Sequence, residues 1–204
     1  MRVEREPGHV YGRPEEESVN RIQTFWCEPS DRAVESLRRY AGEAKCPGPI
    51  GYHNAEIVLA EVEYPHSEYN GHSKDDLPHD DARWPRLCSC GYAFVEADNW
   101  QHCFERLYRR VDTGALHPLD QLPAGGSYDS QWHALHGFGV GADGVSLTVV
   151  LPDGTHWNVD GPSTNSKTPW SRTGTPRACD VTANPSIASP RYHGFLRSGW
   201  LEEC

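Results

Sequence analysis

Cys88-Ser-Cys90-Gly91 is the segment of this chain best suited to chemistry. Two thiols one residue apart, followed by a glycine that permits a left-handed turn, make a knuckle that aims both sulfurs at one point. Its backbone N–H groups are then free to hydrogen-bond the thiolates. Structural zinc takes four ligands at tetrahedral corners, with sulfur at about 2.3 Å and imidazole nitrogen at about 2.0 Å. The knuckle supplies two, so a second pair is required. Cys46 and His53, which bracket the PGPIGYH loop, are the candidates. A site built from Cys46, His53, Cys88 and Cys90 would close residues 54–87 into a loop and staple a chain with modest aliphatic content. Thiolate and imidazole ligands favour zinc over harder ions. Two other readings stay open: buried thiols beside a loop histidine, and a redox pair, although no thioredoxin-like context surrounds the motif.

A second set of reactive types falls in the back half. His133, His136, His156, Asp160, Cys179 and His193 are concentrated in a loop-rich stretch. A nucleophilic thiol needs an imidazole base and an orienting carboxylate, and Cys179, His193 and Asp160 are of those types. His133 and His136, with Asp160, are alternatively of the types that hold a catalytic metal with an open position. Either would make the protein a hydrolase, but HExxH, GxSxG and a papain-like cysteine context are all missing. No P-loop is present. Arg106, Arg109 and Arg110 form one basic cluster, the feature that would support a regulator acting on DNA.

The elements that must position these groups are read from periodicity. Ile22 to Trp26 reads as a short strand. Ser30 looks like the N-cap of a helix running to about Tyr40, with Ala33, Val34, Leu37 and Tyr40 on one face and Arg38 and Arg39 solvated on the other. Residues 54–64 are rich in β-formers and read as a strand. Asp98 opens a second expected helix, with Trp100, Phe104, Leu107 and Tyr108 as its core stripe and the three arginines at its C-terminal end. Residues 145–151 and 156–160 flank PDGT as a hairpin, and 195–201 adds a last strand. Residues 65–82 and 161–190 read as loops.

Composition bounds the rest. The chain has 204 residues, 19 glycines, 16 prolines, seven tryptophans and a formal charge of −10. That length suits one domain or two small ones. The acidity disfavours general affinity for polyphosphate. Seven cysteines are awkward for a complete disulfide framework, and with no apolar leader the expected compartment is a reducing cytoplasm. The longest aliphatic run, Leu147–Leu151, is far short of the ~18 residues that span a bilayer.

WPRLCSCGYAF, followed by YRRVDTG, resembles a family of uncharacterised proteins encoded by actinobacterial phages. RIQTFWCEPSDRAVESLRRY, CPGPIGYHNAE, LPDGTHWNVDGPSTN and YHGFLRSGWLEEC are similar to the same family, in the same order. The resemblance covers roughly residues 20–204 and rests most on CSCGYAF and YHGFLRSG. It implies a phage accessory protein acting in the cytoplasm of a bacterial host, and no particular activity. The family pattern carries a further cysteine after the asparagine found here at 165. Ser166 stands in that place, so no metal or thiol site there carries over. Cys46, His53, Cys88 and Cys90 match the retained part.

Together these readings give an expectation. The fold is α+β, β-rich and loop-heavy, with two short helices and a zinc knuckle. Residues 1–20 form an acidic leader, 21–120 an α+β zinc-knuckle subdomain and 121–204 a β-rich subdomain. Function is expected to be protein binding on a zinc-stabilised scaffold, with Trp132, Trp157, Trp170 and Trp200 as interface anchors. Nucleic acid is a disfavoured partner and a membrane is not expected.

Overall fold

A computed structural model describes residues 20–47, 51–65, 72–73, 77–162 and 171–204. The chain is strand-rich and loop-heavy, with few helices. Its strands are β1 (Arg21–Gln23), β2 (Phe25–Lys45), β3 (Tyr52–Glu63), β4 (His72–Ser73), β5 (Asn99–Arg110), β6 (Leu116–Pro118) and β7 (Gly126–Asp129). There follow β8 (Leu147–Val150), β9 (His156–Asn158), β10 (Ser171–Thr173), β11 (Thr182–Ala188), β12 (His193–Arg197) and β13 (Trp200–Glu203). The one α-helix among the described residues is α1 (Gln131–Leu135), and Leu119–Gln121 and Pro176–Ala178 form single 3₁₀ turns.

Two bodies result. In the first, a five-stranded sheet ordered β1-β13-β12-β11-β10 packs on β7, β8 and β9. Their shared core is aliphatic and aromatic: Leu147, Val149, Leu151 and Val159 meet Val181, Ile187, Leu196 and Leu201, with Trp26 and Trp157 between them. The second is an arm. β2 starts parallel to β7 through Phe25 and Trp26, then runs out between β3 and β5, antiparallel to both. Twelve-residue strands at about 3.3 Å per residue make the arm ~40 Å long.

Both expected helices are corrected to strands. Residues 30–40 lie inside β2 and 99–110 are β5. The reason is visible in burial. Leu37, Arg39 and Ala41 are buried at period two on the face that Ala33 shares, and Val34 and Tyr40, which completed the apparent helical stripe, are only half-buried on the other face, where Ser36 is the buried residue. An arginine and two alanines on the buried face hide the alternation from a reading by residue type. Helix propensity is a weak prior, and ladders on both edges of β2 override it. Ser30 does make the backbone bond expected of a cap, accepting from Arg32 N at 3.1 Å while donating to Leu107 O at 2.8 Å. These bonds secure a bulge between Pro29 and Ala33, where a proline without an N–H is tolerated. Asp98 likewise caps a turn, accepting from Val95 N at 2.8 Å.

The other readings fare unevenly. The strand at 54–64 is β3 and the PDGT hairpin is β8–β9. Residues 195–201 are a hairpin, not one strand: β12 turns into β13 through Ser198 and Gly199, both at positive φ as a two-residue I′ turn requires. A Cβ on Gly199 would collide with the Cys179 carbonyl. The region 161–190 contains β10 and β11. Hydrogen bonding crosses the expected division at residue 120, since β1 pairs with β13 and β2 with β7. Residues 1–19 lie outside the described residues, and so does most of the expected leader. No helix among the described residues is long and apolar enough to cross a membrane.

Candidate metal centre

At the tip of the arm the chain brings four ligand types together. Cys46 follows the last residue of β2, and His53 is the second residue of β3. Cys46 N donates to Gly51 O at 3.2 Å, which closes the turn between them. The knuckle approaches from the segment before β5. A bridge between Leu87 and Ala93 forms its neck, Cys88 N donates to Tyr92 O at 2.9 Å, and Gly91 N donates back to Cys88 O at 2.9 Å. Gly91 sits at φ 90°, a conformation that disfavours any residue with a Cβ.

The ligand atoms of Cys46, His53, Cys88 and Cys90 all lie within 4.8 Å of one another. Cys46 Sγ and Cys88 Sγ are 3.9 Å apart, and Cys90 Sγ is 3.3 Å from His53 Nδ1. A tetrahedral ion with the usual bond lengths needs sulfur–sulfur and sulfur–nitrogen separations of about 3.8 and 3.5 Å. The cluster therefore has the size of a single-ion site. Cys46, His53 and Cys88 are buried and Cys90 is exposed. The Cys88 thiol is pulled down to about 6, chiefly by the Cys90 backbone N–H and then by His53, so a thiolate is favoured there near neutral pH. No cysteine of the chain is in a disulfide.

A second layer orients these ligands. The His53 ring stacks on Tyr92 with centroids 4.0 Å apart and planes within 8°. Tyr92 hydroxyl in turn donates to Asp98 Oδ2 at 3.3 Å. Below the site, Arg39 is 1% exposed, with its guanidinium 3.5 Å from the Trp100 centroid and 5.2 Å from Phe94, and it donates to Val95 O. Trp84 meets Trp100 edge-on at 5.0 Å, and the His79 ring stacks on Trp100 at 4.2 Å. This corrects the solvated reading of Arg39. Its partner Arg38 is also engaged, donating to Asn54 Oδ1 at 2.6 Å and Tyr52 hydroxyl at 3.0 Å. The aromatic spacing in WPRLCSCGYAF was the available signal, because a buried guanidinium needs π faces or carbonyls around it.

The back-half constellation does not converge. Among the described residues, the cluster at the arm tip is the group of three or more potential ligands that does. Asp160 is committed to Arg172 Nε at 2.7 Å and Leu147 N at 2.8 Å. Cys179 packs against the main core with its thiol pushed up by burial, and His193 is exposed on β12. His136 Nδ1 lies 2.7 Å from Trp132 O, and His133 Nδ1 lies 3.2 Å from Thr148 Oγ1. The basic cluster is corrected too. It lies along a strand, with no helix dipole to complement, and each arginine has local partners. Arg106 Nε donates to Ser30 O at 2.7 Å, and Arg109 and Arg110 pair with Asp31 and Asp112 at 3.2 and 2.7 Å.

Of the four tryptophans expected at an interface, Trp132 is 57% exposed. Trp200 is half-buried beneath Arg21, 5.0 Å from its ring centroid. Trp157 is corrected: it belongs to the main core, because alternation along β9 points it inward. Trp170 lies outside the described residues. Comparison with protein-family models, curated proteins and solved structures finds no match.

Proposed function

We propose that the arm-tip cluster holds one structural zinc ion and that the protein is a zinc-stabilised module for binding another protein. The observation that carries the metal half is the convergence of three sulfurs and an imidazole nitrogen at single-ion separations. All four ligands come from the protein, so the coordination shell is closed, as in structural sites, with no position for substrate. The apolar exposure of Trp132, Leu135, Phe138 and Val140 supports the binding half. The resemblance to phage-encoded proteins supports an accessory role in the cytoplasm of a bacterial host. A hydrolase built on residues 133–193 would need its groups in one place, and a DNA-bound regulator would need free cations on a chain of charge −10.

Mass spectrometry of untagged protein tests the metal, beside a Cys88→Ser/Cys90→Ser variant. One zinc per chain, lost in the variant, is expected. A zinc that survives the double substitution overturns this site, and so does protein that binds no metal.

A further inference from the structure

Where the arm leaves the sandwich, the bend in β2 opens a cleft of about 510 Å³, within the usual size range of ligand pockets. Its lining includes Trp26, Tyr108, Tyr128 and Trp132. Its charges are balanced: Arg106 and Arg177 on one side of the account, Glu28 and Asp129 on the other. Arg177 pairs with Glu28 at the rim, and Glu28 also accepts from Trp26 Nε1 at 3.3 Å. Arg106 uses only Nε in a hydrogen bond among the described residues, and Asp129 uses only Oδ1, accepting from Ser146 N at 2.9 Å. Donors and acceptors both remain, therefore, beside aromatic faces.

That balance selects the occupant. An anion such as a phosphate would meet Glu28 and Asp129, and a cation would meet the two guanidiniums. A neutral aromatic group flanked by amide donors and acceptors meets neither penalty: its ring can pack on the aromatic residues while its amides bond the polar part of the lining. Trp132 is also the first residue of an exposed ridge. It stacks on His136 at 4.2 Å and Phe138 at 5.5 Å, and Leu135 is 84% exposed. The segment 131–140 contains no Lys, Arg, Asp or Glu. We propose that the cleft receives an aromatic side chain of a partner protein, with the ridge seating neighbouring apolar residues of the same segment. This rests on the protein-binding half of the function proposed above and not on its metal.

The test is an NMR titration of ¹⁵N-labelled, full-length protein, purified without chelators, with N-acetyltryptophanamide, read at the indole N–H signals. N-acetylalaninamide and adenosine monophosphate serve as controls. The expected result is saturable movement of the Trp26 and Trp132 signals by the aromatic amide alone, with Trp84, Trp100 and Trp157 unmoved. Trp132→Ala, at an exposed site, should weaken that binding about tenfold. Absence of movement up to ~10 mM overturns the proposal. So does equal movement of all indoles, or preference for the nucleotide. Zinc is counted in the same sample: metal-free protein that still takes the probe sinks the zinc reading alone, and zinc-loaded protein that ignores it sinks this one.

Discussion

The sandwich and the arm reach order by different means. In the sandwich, two sheets bury twelve core residues, most of them aliphatic, and the hydrophobic effect suffices. In the arm β2 lies between β3 and β5, with the short β4 and β6 on the far edge of β5, and its buried positions include Ser36, Arg39 and His102 beside the apolar Ala33, Leu37 and Ala41 of β2. A loop carrying Trp84 and Phe94 covers part of it, and its apolar burial is thin. The four ligands lie at the end of the arm farthest from the sandwich core. The difference teaches that the four potential metal ligands gather where burial is least able to hold the chain together.

The sharpest way to break the comparison is to remove the ligands of the proposed metal, or the ion itself. Chelation, or Cys88→Ser/Cys90→Ser, is expected to cost several kcal/mol and lower the melting temperature by ~10 °C or more. Hydrogen exchange should show the loss confined to β2, β3 and β5, with β11–β13 still protected. Uniform loss would mean that the two bodies fold as one. The opposite perturbation is Leu196→Ala, expected to cost about 2–5 kcal/mol in the sandwich and to leave zinc stoichiometry unchanged. Arg39→Ala should cost about 2–3 kcal/mol, localised to the arm, through lost packing on Trp100 and Phe94. Lysine should not restore it, because an ammonium lacks the planar face.

Acidity should act with opposite sign through His133 and His156 and through Glu105. His133 and His156 in the sandwich half are held below their usual range, mainly by burial, against Asp120 near His156 and with His136 near His133. Their folded forms resist protonation, so the stability they contribute is present above about pH 6.5 and is lost as pH falls further. Glu105, on the arm, is pushed up to about 7 by burial and by Asp120. It favours the folded state below its ordinary range near 4.5, and that contribution is lost as pH rises through about 7. Denaturation followed between pH 5 and 8 should show both slopes. Glu105→Gln should flatten the second only. The smallest effect is expected of Trp132→Ala, which should change stability by less than about 0.5 kcal/mol because the ring is largely exposed.

Much of the candidate site was legible in the sequence. CxCG announces a knuckle because glycine allows the turn and the two thiols share a direction, and Cys46 with His53 were the nearby residues of suitable type. Tyr92 and Asp98, which orient His53, were not legible, since nothing in their spacing says that a ring will stack on an imidazole. Trp157 and Trp132 looked equivalent as tryptophans on the same half of the chain. Pleat direction in β9 buries one, and the short helix α1 presents the other.

Sequence by itself determined the local events: the knuckle turn, the PDGT hairpin, the strand expected at residues 54–64 and the ligand types. Each depends on residues within a few positions of one another. The state of residues 30–40 and 99–110 was decided only by tertiary structure. Their apolar spacing is compatible with a helix, and they become strands because each finds ladder partners far along the chain: Leu37 pairs with Ile57 on one side and His102 on the other. The same long-range pairing carries Cys46 and His53 to the knuckle and turns Arg39 inward. Contacts of that separation depend on which segments meet, a property of the whole chain that no local spacing encodes.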